Sequence, residues 1–261
     1  MYPTLFQIGK FKLPSFGFML GIGFFVGVLV GRRRAKRFGI TPDQFVDSAI
    51  WAIFLGIIGA RLVFIAQEWK YYSHNPSELL SQFAGITSFG GIIFGGLGIY
   101  IYSRRKSLNF LSLLDTAGGA FLISHAIGRI GCLLNGCCHG RTCELPWAIT
   151  VDGIAGRVHP AQVYDSLMNL AAFGVLVLIE RKSLRPGQSF GAMIALHGLT
   201  RFIYEFWRAG TVAEVDAKLA SSTRIPGWPI TEAQVMAVVL IFIGVALVAW
   251  RRSKPVVTED A

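Results

Sequence analysis

The stretch FVDSAIWAIFLGIIGARLVFIA (Phe45–Ala66) decides the fold class. It is long enough to cross a bilayer as a helix, which takes ~20 mostly apolar residues. Yet it carries a basic residue deep inside, Arg61. Six further apolar segments flank it, near residues 14–31, 86–102, 110–130, 162–179, 189–207 and 232–250. The third span of the series, 86–102, is short and glycine-rich. Composition agrees with this pattern: 53% of residues are hydrophobic, 15% are charged and mean hydropathy is +0.53. Soluble domains carry roughly 25% charged residues. The sequence therefore reads as all-α, a polytopic membrane protein with about seven transmembrane helices. Its spans follow one another with short gaps, so residues 1–261 are expected to form a single integral-membrane domain. The first apolar run lacks a small-residue cleavage site and reads as a retained helix.

The net charge of +10 does not point to nucleic acid, because no soluble basic domain stands apart from the spans. The basic residues are instead distributed by side. The gaps RRRAKR (32–37), RRK (104–106), ERKSLRP (180–186) and RRSK (251–254) hold 14 Lys and Arg, against eight on the opposite side. Basic loops stay in the cytoplasm, so the N-terminus is expected outside and the C-terminus inside. Arg61, Arg129 and Arg201 remain within spans. A charge at mid-bilayer costs at least ~2.5–3.5 kcal/mol, so the three should share a polar interior. All three fall in the outer halves of their spans, which places the expected site toward the outer leaflet. Residues 209–230 form the longest polar segment on that side, either a cap over the site or a plain surface loop.

Three segments concentrate chemistry. In SHAIGRIGCLLNGCCHGRTCELPWAI (124–149), His125 and Arg129 lie four apart and share a helix face. Gly128, Gly131, Gly136 and Gly140 can expose backbone N–H groups, and Asn135 adds a neutral donor and acceptor. Backbone N–H groups beside an arginine suit a phosphate. The bland alternative is close helix packing around a paired arginine. In GRVHPAQVYDSL (156–167), Pro160 suits a first helical turn, with His159 before it and Gln162 and Asp165 just inside; these residues either bind or simply cap. In LHGLTRFIYEFWRAG (196–210), His197, Arg201, Glu205 and Arg208 form one stripe, as a site or as a structural ion pair. FGGIIFGGLG (89–98), with Gly90 and Gly91, allows a close approach of backbone to backbone or to a ligand. Cys132, Cys137, Cys138 and Cys143 do not follow a zinc-ribbon spacing. Disulfides, buried thiols, a metal site and a nucleophile all remain open for them.

Together the three segments resemble the prolipoprotein diacylglyceryl transferase family. Its pattern, roughly GRxGNFxNGExxG, HPxQLYE and YGxxRFxxEFxR, is matched by GRIGCLLNGCCHG (128–140), HPAQVYD (159–165) and HGLTRFIYEFWR (197–208). The resemblance covers roughly residues 14–250. It implies transfer of the diacylglyceryl group of phosphatidylglycerol to a signal-peptide cysteine thiol, with a thioether formed and glycerol phosphate released. It implies Arg129 and Arg201 as essential arginines, Glu205 as the acidic partner, and Asn135 and Gly140 at motif positions. Phosphatidylglycerol, prolipoprotein signal peptides and membrane lipids are the implied partners; no cofactor and no metal is expected. The implied location is the bacterial inner membrane, with the site toward the periplasm.

The chain also departs from the pattern. Cys132 stands for the first asparagine, Cys137 for the acidic residue after NG, His197 for a tyrosine and Phe16 for another tyrosine. The stretch SFGG (88–91) lacks the histidine found there in the family. The resulting expectation makes Arg129, Arg201, His197 and Glu205 catalytic. Arg129, Asn135, Gly140, Arg61, Gly90, Gly91, His125, His159 and Gln162 are expected to bind lipid or substrate, with His125 competing with His197 as base. The alternatives are a related lipid-modifying transferase with a different acceptor, a non-catalytic lipid-binding or transport protein, and a structural assembly factor.

Overall fold

A computed structural model describes residues 1–9, 11–74, 87–182 and 184–253. Residue 86, where the third expected span begins, and Lys10, Ser183 and Lys254, which fall in the segments used for the charge count, lie outside the described residues. Nine α-helices occur among the described residues: α1 (Ser15–Arg34), α2 (Pro42–Gln67), α3 (Trp69–His74), α4 (Ser88–Arg105), α5 (Phe110–Asn135), α6 (Ala161–Ile179), α7 (Gln188–Glu205), α8 (Val212–Asp216) and α9 (Glu232–Ser253). Each of the seven expected spans coincides with one of the longer helices. Five of these, α1, α2, α5, α6 and α9, are long and apolar enough to cross a membrane. The other two, α4 and α7, have 18 residues each and so extend about 27 Å. The polar residues that lower the hydropathy of α7 are the stripe of His197, Arg201 and Glu205.

The chain divides into two compact units, Gly31–Thr116 and the remainder, Met1–Val30 with Ala117–Ala261. In the smaller unit, α2 starts with a capping box: Thr41 and Gln44 exchange side-chain and backbone hydrogen bonds, and Pro42 occupies the first turn. α2 lies along α4 at glycine contacts. A Cβ on Gly90 would stand 2.5 Å from the Gly59 carbonyl oxygen, so that position serves close helix packing. Outward-facing side chains such as Phe54 and Ile57 are left exposed, as lipid-facing residues should be.

In the larger unit, α7 packs against α6 and α9. Leu122 of α5, Ala172 and Leu176 of α6, and Ala192 and Met193 of α7 form its buried apolar cluster. Ser124 of α5 donates to the Gly23 carbonyl of α1 at 2.7 Å. Small two-stranded pairings trim the loops: β1 (Thr4–Ile8) with β2 (Phe11–Pro14) antiparallel, β3 (Ile149–Thr150) with β4 (Arg157–Val158) antiparallel, and β5 (Ala209–Gly210) with β6 (Ser222–Thr223) parallel. This unit holds all three sequence segments rich in polar residues.

Candidate active site

The site is built on α5, α6 and α7, whose polar residues recur at helical spacing. Asp165, one turn into α6 and 1% exposed, receives the Nε of Arg129 from α5 at 2.5 Å. His125, one turn back on α5, places Nε2 3.2 Å from the same carboxylate oxygen and 3.3 Å from Arg129 Nε. One ring nitrogen can either donate to Asp165 or accept from Arg129, not both at once. Asn169, one turn further along α6 and fully buried, donates through Nδ2 to the Asp165 backbone oxygen at 2.8 Å and to its Oδ1 at 2.7 Å.

That pair of bonds orients the Asn169 amide, and the consequence reaches His197. Nδ2 faces two acceptors, so it is the nitrogen, and Oδ1 is the atom that meets His197 Nδ1 at 3.1 Å. An amide oxygen only accepts. A neutral His197 therefore carries its proton on Nδ1 and its lone pair on Nε2. Its ring lies edge-to-face with those of His125 and Phe121, each at 4.9 Å between centroids.

The third group of charges surrounds Tyr204 of α7, a fully buried ring. Arg129, Arg201 and Arg208 hold their guanidinium carbons 5.0, 5.0 and 5.2 Å from its centroid. Guanidiniums at this distance are attracted by the ring's quadrupole. Glu205, fully buried, pairs with Arg201 at 3.1 Å and Arg208 at 3.4 Å. Among these groups three positive charges face two negative ones, Asp165 and Glu205, leaving one net positive charge. Arg201 Nη1, Arg208 Nε and Glu205 Oε1 are buried without a hydrogen-bond partner among the described residues. Buried N–H groups are costly when unpaired, so two unsatisfied guanidinium donors beside a surplus positive charge suit an anion.

The loops over this cluster are tied down from several sides. Tyr204 donates to the Cys138 carbonyl at 3.2 Å, and Gln162 Nε2 donates to the Cys137 carbonyl at 2.7 Å. Gly140 N–H donates to the His159 carbonyl at 2.9 Å, and His159 N–H returns to Arg141 at 3.0 Å. A Cβ on Gly140 would stand 2.6 Å from His159 Cβ and 2.6 Å from the Trp207 carbonyl oxygen, so only glycine admits this approach. His159 is buried, with Nδ1 3.4 Å from the Tyr164 hydroxyl. Burial, followed by the Arg141 charge, holds its pKa below the usual histidine value. Ser221, within the polar segment 209–230, donates to the His139 carbonyl at 2.6 Å, and its own carbonyl accepts from Arg208 at 3.2 Å.

Of the residues expected from the sequence, Arg129, His125, His197, Arg201 and Glu205 come together here. Gln162, Gly140 and His159 frame the adjoining loop, and Asn135 lies exposed at the end of α5. Arg61 belongs to the other unit, its guanidinium 5.7 Å from the Phe64 ring centroid and 5.5 Å from that of Tyr72. Gly90 and Gly91 also belong there. Asp165 and Arg208, which the sequence offered as a binding or capping residue and as part of the α7 stripe, join the cluster, and Tyr204 and Asn169 complete it without having been singled out in the sequence. All four cysteines are free thiols.

A family model described as Prolipoprotein diacylglyceryl transferase matches residues 3–250. Three relatives are named phosphatidylglycerol–prolipoprotein diacylglyceryl transferase. The one from Clostridioides difficile (strain 630) is 36% identical over 210 residues, covering 80% of this chain and 83% of the relative. That from Dehalococcoides mccartyi (strain ATCC BAA-2266 / KCTC 15142 / 195) is 34% identical, covering 97% and 94%. That from Bacillus velezensis (strain DSM 23117 / BGSC 10A6 / LMG 26770 / FZB42) is 30% identical, covering 97% and 93%. Matched across nearly its whole length, the chain belongs to the prolipoprotein diacylglyceryl transferase family.

Proposed function

We propose that this chain transfers the diacylglyceryl group of phosphatidylglycerol to the cysteine thiol of a prolipoprotein signal peptide, the first step of bacterial lipoprotein maturation. The observation that carries the reading is the ring of Arg129, Arg201 and Arg208 around Tyr204, with its one surplus positive charge. A phosphodiester headgroup brings one negative charge to match it. In the reaction the thiol gives up its proton, and the sulfur bonds to the glyceryl carbon. The bond from that carbon to the phosphate oxygen breaks, and glycerol phosphate leaves. The phosphate gains a negative charge as it departs, and fixed guanidiniums favour that change most at the transition state. Buried N–H groups of Arg201 and Arg208 with no partner among the described residues supply donors for it.

The acceptor thiol arrives with the substrate, so the enzyme needs a proton acceptor and not a nucleophile of its own. His197 takes that role: its Nδ1 is occupied by Asn169, which leaves the Nε2 lone pair for the thiol proton. Asp165 and Glu205 act as positioning residues that hold the arginines. Gln162, Gly140 and His159 hold the loop. His125 shares the Asp165 carboxylate and is the second candidate base. The chain resides in the bacterial inner membrane, N-terminus outside, with the cluster toward the periplasm and residues 209–230 as its cap. The charge split of the loops and the ties of Ser221 to His139 and Arg208 support this placement.

Complementation tests the reading. A bacterium depleted of its own diacylglyceryl transferase should regain growth and lipid-modified lipoproteins when this chain is expressed. Stable, membrane-inserted chain that restores neither would refute the assignment.

A further inference from the structure

The sulfur atoms of Cys132, Cys137 and Cys138 lie within 4.8 Å of one another. Local backbone geometry produces the first half of this cluster. At the end of α5, Gly136 adopts φ +74°, its N–H donates to Leu133 at 3.1 Å, and the Cys137 N–H donates to Cys132 at 3.1 Å. This is a Schellman cap, in which the residue two past the helix end folds back over the residue at its last turn. It sets Cys137 against Cys132. Cys138 then takes φ +60°, a left-handed conformation that residues with a side chain adopt rarely. The conformation is held from outside the loop: Gln162 pins the Cys137 carbonyl and Tyr204 pins that of Cys138. The thiols are therefore gathered by a rigid turn tied to two other helices.

We propose that Cys132, Cys137 and Cys138 form a three-thiolate site for one soft cation of the zinc class. Zinc–sulfur bonds are about 2.3 Å, so sulfurs around a tetrahedral zinc stand roughly 3.8 Å apart. The observed spacing reaches that value with shifts of about an ångström or less. Three thiolates and a divalent ion carry one net negative charge. Arg129 and Arg208 both act electrostatically on Cys138, so an occupied site and the lipid phosphate draw on the same guanidiniums. The fourth position of the ion is left to water. Cys143 is not part of the cluster. Bound metal joins the end of α5 to the turn that continues into Gly140 and Arg141, the stretch paired with His159. The proposal concerns metal binding alone and stands or falls apart from the transferase reading.

The test uses purified, reduced full-length chain in lipid nanodiscs, with no donor lipid or peptide substrate needed. Cobalt(II) should bind one per chain with a thiolate charge-transfer band, and zinc should displace it. Cys132→Ser, Cys137→Ser and Cys138→Ser should each weaken zinc binding by ~100-fold or more, since even residues outside the ligand set cost ~10–100-fold. Cys143→Ser should bind as the wild type does. Thiol alkylation of the wild-type chain, read by mass spectrometry, removes dependence on how the variants fold. Zinc should protect Cys132, Cys137 and Cys138 and leave Cys143 reactive. No stoichiometric cobalt, a disulfide among the three thiols in freshly isolated protein, or any other protection pattern would overturn the site.

Discussion

Asp165 and Arg129 meet at 2.5 Å across two helices, with the carboxylate almost wholly buried. Breaking a buried ion pair by removing one partner leaves an uncompensated charge and costs ~3–5 kcal/mol. Asp165→Asn keeps the shape and removes the charge, so it should lower thermal stability by that order and slow transfer. Arg129→Lys should keep much of the stability yet lose ~10²–10³-fold in kcat, because lysine lacks the planar fork that shares Asp165, Tyr204 and the phosphate. Unfolding curves and transfer rates of the two variants separate these effects. A lysine variant with wild-type kcat would exclude a guanidinium role.

Tyr204 offers a ring to three cations and a hydroxyl to the Cys138 carbonyl. The two contributions can be divided. Tyr204→Phe keeps the ring and should cost about 0.5–1.5 kcal/mol for the lost hydrogen bond, with transfer largely retained. Tyr204→Ala opens a cavity worth ~3–5 kcal/mol and leaves the arginines without the surface that gathers them. Equal losses in both variants would assign the whole effect to the hydroxyl.

His197 is the predicted acceptor of the thiol proton. Protonated Nε2 cannot accept, so the rate should fall as pH drops and the histidine fills. His197→Gln should lose ~10²–10⁴-fold and, with it, the acidic limb of the kcat/KM profile. Asn169→Leu removes the group that fixes the tautomer, and should lower kcat while keeping the limb. An unchanged profile in His197→Gln would pass the role to His125.

His159 supplies a pH dependence of stability outside the spans. Burial and then Arg141 lower its pKa in the folded chain, so the unfolded chain binds its proton more readily. The stability contribution is complete above the unfolded value of about 6.5 and is lost as pH falls below it toward the folded value. Thermal unfolding should therefore shift downward between about pH 7.5 and 5.5, and His159→Gln should flatten part of that shift. An unaltered shift in the variant would show that other groups cause it.

Much of this site was legible because membranes make charge costly. Arg129 and Arg201 stood out as basic residues inside apolar runs, and the spacing from His197 through Arg208 placed four polar groups on one stripe. Asn169 was not legible: one asparagine among apolar residues gives no hint that its amide will bridge Asp165 and His197. Tyr204 gives no signal in the sequence either, because Arg129 reaches its ring from a different helix. Arg61 carried the same cost signal as the other two arginines, yet it lies in the other unit with Phe64 and Tyr72. Burial cost marks a residue as needing polar or aromatic company without saying which. The cysteines were unreadable for a local reason: their proximity comes from a left-handed turn at Gly136, and sequence spacing alone does not show how the turn folds back. The polar stripe that marks α7 as a candidate site helix also lowers its hydropathy, which is why it reads less clearly as a span than α9.

The most direct test of the central claim is transfer by the purified chain in nanodiscs containing phosphatidylglycerol, with a signal peptide bearing one cysteine. The account predicts a thioether-linked diacylglyceryl peptide, glycerol phosphate released in equal amount, and loss of both products in Arg201→Ala. Folded wild-type chain that binds phosphatidylglycerol but releases no glycerol phosphate, or an Arg201→Ala variant that transfers at the wild-type rate, would contradict it.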